Sequence, residues 1–372
     1  MNDISRDIPF FNYQYVFKSN EEKFTSIFKD IGNRGAYILQ KDLTQFENNL
    51  AKYCDVKYAI GVANGTDAIW LALEAAGIGP GDEVILSSHT YIATAGAVAF
   101  VKAKPVPVEC KEDWMIDPAA VEAAVTNKTK ALLPTQLNGR CCDMDALRAI
   151  AKKYNLIIIE DAAQALGAKY KGEFAGTMGL AGTISFYPAK TLGSFGDAGA
   201  ILTNDKQLYD KMRFARDHGR NDEGEFVMWG YNSRMDNLQA AILNYKLTYY
   251  DDEIKRRREI ASIYHQELSS LKEIKLPQNP NANLDYFDVY QNYEIMAENR
   301  YRLRKFLKEN GIGTLIQWGG QAVHSLSKLG FNNISLPFTE NFFKSCFMIP
   351  LNTSLNNDDV LYVCKKIKEF YK

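Results

Sequence analysis

The stretch ISFYPAKTLGSFGDAGAILTN, residues 184–204, decides how the chain is read. An apolar run, ISFY, ends at Pro188, and a lone cation, Lys190, follows two residues later. Gly193, Gly196 and Gly199 punctuate the bend before a second apolar run begins at Ala200. Two short apolar runs around such a bend read as buried strands whose connection can approach another group closely. A lysine placed there is either a solvated loop residue or a nucleophile aimed into a cleft.

Working outward, Thr66 to Asn204 alternates helix and strand patterns. TDAIWLALEAAG carries Ile69, Leu71, Leu73 and Ala76 on a helical face that Gly77 closes. GIGPGDEVILSS, PVPVEC, ALLPTQ, LIIIED, GTISFY and GAILTN each predict a short buried strand. DMDALRAIAKKYN predicts an amphipathic helix with Asp143 as N-cap and Asp145 in its first turn. Strands that are apolar throughout and alternate with helices imply an α/β fold with a mostly parallel sheet covered on both faces. Ligands in such sheets sit beyond the carboxyl ends of the strands. After Tyr250 the texture changes: DDEIKRRREIASIYHQELSSL predicts a long charged helix leading into a second unit. The expected division is 1–252 for the N-terminal segment and large domain, and 253–372 for a smaller one.

A chain of 372 residues is long enough for two packed units. Its 44 basic and 45 acidic side chains give a net charge of −1, which argues against nucleic acid and against a polybasic membrane anchor. The N-terminus, MNDISRDIPFFNYQ, lacks the basic-then-apolar pattern of a secretory signal, and no apolar run reaches the ~20 residues that span a bilayer. Cys54, Cys110, Cys141, Cys142, Cys346 and Cys364 form no CxxC pair and no zinc spacing, so no metal is expected. They read as buried reduced thiols, and the protein as soluble and cytoplasmic.

Four features fall where one site would need them. ANGTDA, residues 63–68, opens a helix, and Gly65 with the N–H groups of Thr66 and Asp67 makes an anion pocket. Asp161 ends the apolar strand LIIIED, Ser185 lies in ISFY, and Lys190 follows. Singly, each has a plain structural explanation: a helix cap, a salt bridge, a core hydroxyl, a loop cation. Together they fit pyridoxal 5'-phosphate, which requires an amine for its aldehyde, an acid for its ring nitrogen and an anion pocket for its phosphate. An unassisted lysine is protonated and inert, so burial would have to lower its pKa.

The segments GAYILQKDLTQFENNLAKYCDVKYAIGVANGTDAI, GIGPGDEVI, HTYIATAGAV, IIEDAAQALGAKYKG, TISFYPAKTLGSFGDAGAILTND and GYNSRMDNLQAAIL are collinear with one family over almost the whole chain. The sequence resembles the DegT/DnrJ/EryC1/StrS sugar aminotransferases. That resemblance implies the aspartate aminotransferase (type I) fold, with a mostly parallel seven-stranded sheet sandwiched by helices and a smaller C-terminal α+β domain. It further implies that Lys190 bonds the cofactor aldehyde, that Asp161 pairs with the ring nitrogen and that Gln164 binds the phenolic oxygen. Tyr91 would stack on the ring, and Thr66, Asp67 and Ser185 would hold the phosphate. Asn232 would reach the phosphate of a neighbouring subunit, making the site that of a homodimer. Tyr187, Arg220, Arg234 and His324 are the substrate candidates, with 316–330 at the sugar entrance.

By the same resemblance, L-glutamate donates its amino group and leaves as 2-oxoglutarate. A keto group on a nucleotide-linked sugar, expected to be a dTDP-deoxysugar, then accepts that amino group. Gln164 after EDAA leans toward amination at C3, with C4 as the alternative. Leu166 in ALGA and the segment Gln136–Gly139 depart from the family's usual residues, and both are expected to bear on sugar fit. Lys190 argues against the dehydratase branch, which carries histidine there. A non-catalytic binding module on this fold would not need both Lys190 and Asp161. A nicotinamide dehydrogenase is disfavoured because GSFGDAG precedes a strand instead of a helix. Deoxygenation with the same cofactor is a nearer rival, separable by whether glutamate is consumed in step with product.

Overall fold

Strand β1 (Tyr58–Val62) begins the main sheet, followed in the chain by β2 (Glu83–Ser87), β3 (Lys104–Val108) and β4 (Thr129–Leu133). β5 (Ile157–Asp161), β6 (Ala181–Ser185) and β7 (Gly199–Thr203) complete it. A computed structural model of the chain describes residues 6–372. Within it the seven strands order as β1-β7-β6-β5-β4-β2-β3. β3, β2, β4, β5 and β6 pair in parallel, while β7 runs antiparallel between β6 and β1. The connection 186–198 forms turns and holds no crossover helix, so it brings the chain back antiparallel. β1 lay outside the strand reading, which began at Thr66; YAIGV is apolar from its second residue and is buried there.

Local chemistry sets the helix boundaries. Helix Gly65–Ala75 starts at Asn64, whose side chain accepts from the Asp67 N–H at 2.8 Å. It ends where Gly77, at φ +83°, turns the chain so that the Ile78 N–H reaches the Leu73 carbonyl. Asp143 caps helix Met144–Tyr154 as its sequence predicts, accepting from the Ala146 N–H. Two apolar clusters cover the faces of the sheet: one includes Leu43, Phe46, Leu132 and Phe186, the other Ile60, Leu71, Val84 and Ile159. Covered on both faces, the strands carry apolar runs such as VIL in β2, ALL in β4 and III in β5, which is what made them legible.

The helix Tyr250–Leu268 crosses the expected division and leads to a three-stranded antiparallel sheet of Ile274–Lys275, Tyr293–Ala297 and Cys346–Ile349. Of the described N-terminal residues, helix Glu21–Arg34 packs on helix Asn237–Leu247 of the large unit, while Ile8 packs on the second one. Ile8 is buried among Ile260, Tyr264 and Ile312, and its N–H donates to the Gly311 carbonyl. Its apolar side chain finds cover there that the helix-wrapped main sheet does not offer. All six cysteines are free and buried. Among the described residues no helix is long and apolar enough to cross a membrane.

Candidate active site

The carboxyl ends of β1, β2, β4, β5 and β6 open on one cavity of about 680 Å³. Thr66, Asp67, Tyr91, Asp161, Gln164, Ser185, Tyr187 and Lys190 all line it, although they are spread over more than a hundred residues of sequence. In a parallel sheet every such strand end lies on the same edge, so topology alone gathers them.

The anion pocket is built by close approach. A Cβ at Gly65 would lie 2.8 Å from Ser185 Cβ, and one at Gly199 would lie 2.4 Å from the Asn64 carbonyl carbon. Only glycines allow the helix N-terminus to press against the ends of β6 and β7. Asn64 occupies the Asp67 N–H, which leaves the orphan N–H groups of Gly65 and Thr66 for an anion. The Asp67 carboxylate is engaged as well, by the Ser233 hydroxyl at 2.6 Å and Trp70 Nε1 at 3.2 Å. Asp67 therefore braces the pocket, tying the helix start to the segment after Asn232.

Asp161 is buried, and burial pushes its carboxyl above the ordinary range. The Thr94 hydroxyl, the Ala163 N–H and the charge of Lys190 oppose that shift. Lys190 sits in the turn after β6, where burial lowers its amine from 10.5 to about 8 against the pull of Asp161. The sequence could not show that desolvation; the cavity walls supply it. A neutral amine is the form that attacks an aldehyde. Uptake of pyridoxal 5'-phosphate by the cofactor-free protein, followed by absorbance, should thus accelerate as pH rises through 8 and then level off. A midpoint near the usual lysine value would mean that the amine is solvated.

Gln164 lies in a turn after β5, not in a helix, and its Oε1 accepts from the Asn138 N–H at 2.9 Å. With the carbonyl end tied, the amide NH₂ is the end left to donate into the cavity. Tyr91 is about half exposed at the start of helix Ile92–Phe100, its ring centroid 6.3 Å from that of Trp318. Trp318 comes from the second unit and closes the cavity on that side.

Three substrate candidates fall elsewhere in this chain. His324 is buried, with Nδ1 2.6 Å from the Ser88 hydroxyl and Nε2 3.5 Å from Glu340, so it ties the 316–330 segment to the end of β2. Arg234 donates to Asp217 at 2.9 Å, and Arg220 lies 3.7 Å from the same carboxylate, over the ring of Phe226. Asn232 is exposed and lines no part of its own chain's cavity. The departures from the family have structural tasks: Gln136 donates to the buried Glu160, Asn138 orients Gln164, and the Leu166 carbonyl accepts from Tyr250. Leu166 itself is packed in the core.

Sequence reading passed over Thr90, Thr94, Thr135 and Asp197, all of which line the cavity. Asn64, in the stretch read as a possible helix cap, and Trp318, within 316–330, line it too. Nothing local marks the threonines.

The chain fits pyridoxal 5'-phosphate on the features its chemistry requires: a lysine with a lowered pKa, a buried acid and a helix start with free N–H groups. The family model described as the DegT/DnrJ/EryC1/StrS aminotransferase family matches residues 18–368. The chain is 40% identical over 370 residues to the "Pleiotropic regulatory protein" of Geobacillus stearothermophilus, covering 98% of this chain and 99% of that one. It is 38% identical over 366 residues to the dTDP-3-amino-3,4,6-trideoxy-alpha-D-glucose transaminase of Streptomyces venezuelae, covering 98% and 96%. The crystal structure of S. venezuelae DesV in complex with a ketimine intermediate matches with a TM-score of 0.94 at 38% identity, over 98% of this chain and 99% of that one.

Proposed function

The chain belongs to the DegT/DnrJ/EryC1/StrS aminotransferase family, and from that premise we propose that it moves the amino group of L-glutamate onto C3 of a dTDP-linked keto-deoxysugar. It is a pyridoxal 5'-phosphate-dependent sugar aminotransferase of the type I fold. The observation that carries the reading is the meeting of Lys190, its amine near pKa 8, with buried Asp161 in one cavity.

When bound, the cofactor supplies a conjugated sink for the electron pair left as a proton leaves the carbon bearing nitrogen. Lys190 would hold its aldehyde and, once released, carry that proton, since an amine near pKa 8 can both take and return one at neutral pH. Asp161 would hold the ring nitrogen and Gln164 Nε2 the phenolic oxygen. Tyr91 would cover one ring face. Thr66 and Ser185 would bind the phosphate, with Asp67 bracing the helix that presents them. Tyr187, about half exposed at the rim, is the remaining substrate candidate of this chain. The large unit, residues 1–252, would carry the cofactor, and 253–372 would close the sugar side through Trp318.

The regiochemistry rests on Gln164 and on the 3-amino product named for the S. venezuelae relative; amination at C4 is the alternative. We also infer a homodimer. Phe226 and Trp229, the latter 97% exposed, stand beside Asn232, and a second copy would cover them while Asn232 reaches its phosphate pocket. Arg220 and Arg234 would then serve the neighbouring site. Six buried thiols suit a reducing, cytoplasmic setting. Incubating the protein with glutamate and a panel of 3-keto and 4-keto nucleotide sugars, with mass spectrometry of products, tests the assignment. Amination of a 3-keto dTDP-sugar, with 2-oxoglutarate formed in equal amount, is expected. Turnover of 4-keto sugars alone would move the reading to C4, and no amination of any panel member would reject it.

A further inference from the structure

We propose that Thr135, Thr90 and Thr94 form a one-way hydroxyl relay that orients Asp161 and holds it as a carboxylate, making the three threonines positioning residues for the acid. The inference rests on the reading of Asp161 as the partner of the cofactor's ring nitrogen.

The relay follows the sheet edge. Thr135 lies just beyond β4, Thr90 beyond β2, and Thr94 in the first turn of helix Ile92–Phe100; Asp161 ends β5. β2, β4 and β5 are neighbours in the sheet, so their ends stand side by side. All three threonines are buried. Thr94 Oγ1 lies 2.6 Å from Asp161 Oδ2, Thr90 Oγ1 2.7 Å from Thr94 Oγ1, and Thr135 Oγ1 2.8 Å from Thr90 Oγ1.

The proton order in this chain is forced. An ionised carboxylate only accepts, so the single Thr94 proton must point at Oδ2. The Thr90–Thr94 contact then takes the Thr90 proton, and the Thr135–Thr90 contact takes that of Thr135. Three aligned O–H dipoles point at one oxygen, each polarising the next. A carboxylate oxygen accepts from such a chain more strongly than a neutral carboxyl does, so the relay favours the ionised form.

The neighbouring carboxylate shows that this arrangement is particular to Asp161. Glu160, next in the strand and fully buried, accepts from the Gly176, Met178 and Gly179 N–H groups and from Gln136 Nε2. Its acceptor sites are filled by backbone and amide. Among the described residues, Asp161 receives only the Thr94 hydroxyl and the Ala163 N–H, the latter at 3.2 Å on Oδ1. Capacity therefore remains on the cavity side for a ring N–H. The charged group acting on Asp161 is Lys190, from the turn after β6. A buried acid drifts toward its neutral form, and the relay opposes that drift.

The test is the Asp161 titration in cofactor-free protein, by NMR of carboxyl-labelled aspartate, in wild type and in Thr94→Val, Thr94→Ser and Thr90→Val. Thr94→Val should raise the Asp161 pKa by about one unit or more. Thr90→Val, whose hydroxyl bonds Thr94 and Thr135 instead of Asp161, should raise it less, and Thr94→Ser should restore the wild-type value. With cofactor labelled at the ring nitrogen, Thr94→Val should shift the nitrogen resonance toward the unprotonated position. An unchanged Asp161 pKa in Thr94→Val, or a Thr94→Ser protein that behaves like Thr94→Val, overturns the proposal. If Thr94→Val folds poorly, Thr90→Val decides by the same titration. A shifted Asp161 with an unmoved ring nitrogen would uphold the relay and reject the pairing on which it builds.

Discussion

Replacing Lys190 with alanine should lower amino-group transfer by at least about a thousandfold and abolish the absorbance of the amine-linked cofactor. The argument starts from burial. Withdrawing the ammonium from water lowers its pKa to about 8, so a useful fraction of the amine is neutral near physiological pH. An exposed lysine would be almost wholly protonated there, unable to bond an aldehyde or accept a proton. Alanine removes both capacities. Lys190→Arg separates them from charge, because a guanidinium keeps the positive charge but does not release its proton, so this variant should be as inactive as Lys190→Ala. Absorbance spectra and product formation from glutamate and ketosugar check both variants. Wild-type colour with ordinary turnover in either would remove Lys190 from the chemistry.

Asp161→Asn should cost about a hundred- to a thousandfold in rate while retaining part of the cofactor binding, as expected when one member of a buried charged pair is neutralised. An amide cannot stabilise a protonated ring nitrogen as a carboxylate does, and Thr94 would lose its ionised acceptor. The same substitution has an opposite effect on the empty protein. Burial raises the folded-state pKa of Asp161 above its unfolded value. Such a group favours the folded state at low pH, and that contribution is lost as pH rises through the folded value. At neutral pH the wild type carries the cost of a buried carboxylate, which asparagine does not. Cofactor-free Asp161→Asn should therefore melt no lower than wild type at pH 7, with the gap closing on acidification. Near-normal turnover would make the acid structural, and a large fall in melting temperature would contradict the burial argument.

The fold was legible where burial leaves a mark on composition. IIIED, AGTIS and GAILT are largely apolar because both faces of the sheet are covered, and Gly77 and Asp143 marked the ends of two helices. The sequence pattern left unstated that β7 reverses direction and that Ile8 packs beneath the second unit. The first depends on the path of the connection between β6 and β7 and the second on contacts between distant segments, neither of which periodicity within a segment can encode. At the site, Lys190, Asp161 and Ser185 were readable because each is a chemically distinctive residue at a strand end or bend. Arg220 and Arg234 were chosen for charge and His324 for its place in 316–330, and neither says which way a side chain is turned. His324 proves to be walled in by Ser88 and Glu340, and both arginines are held by Asp217.

Residue types and their order along the chain thus determined the α/β class, the family and Lys190 as the candidate amine, since these depend on local chemistry and on the alternation of strand and helix. Tertiary structure alone decided the lowered pKa of that amine, the partners of Asp161 and the end of Gln164 left untied beside the cavity. Those are properties of solvent exclusion and of contacts between strand ends far apart in sequence. A lysine acquires its pKa from its surroundings, and only folding brings those surroundings together.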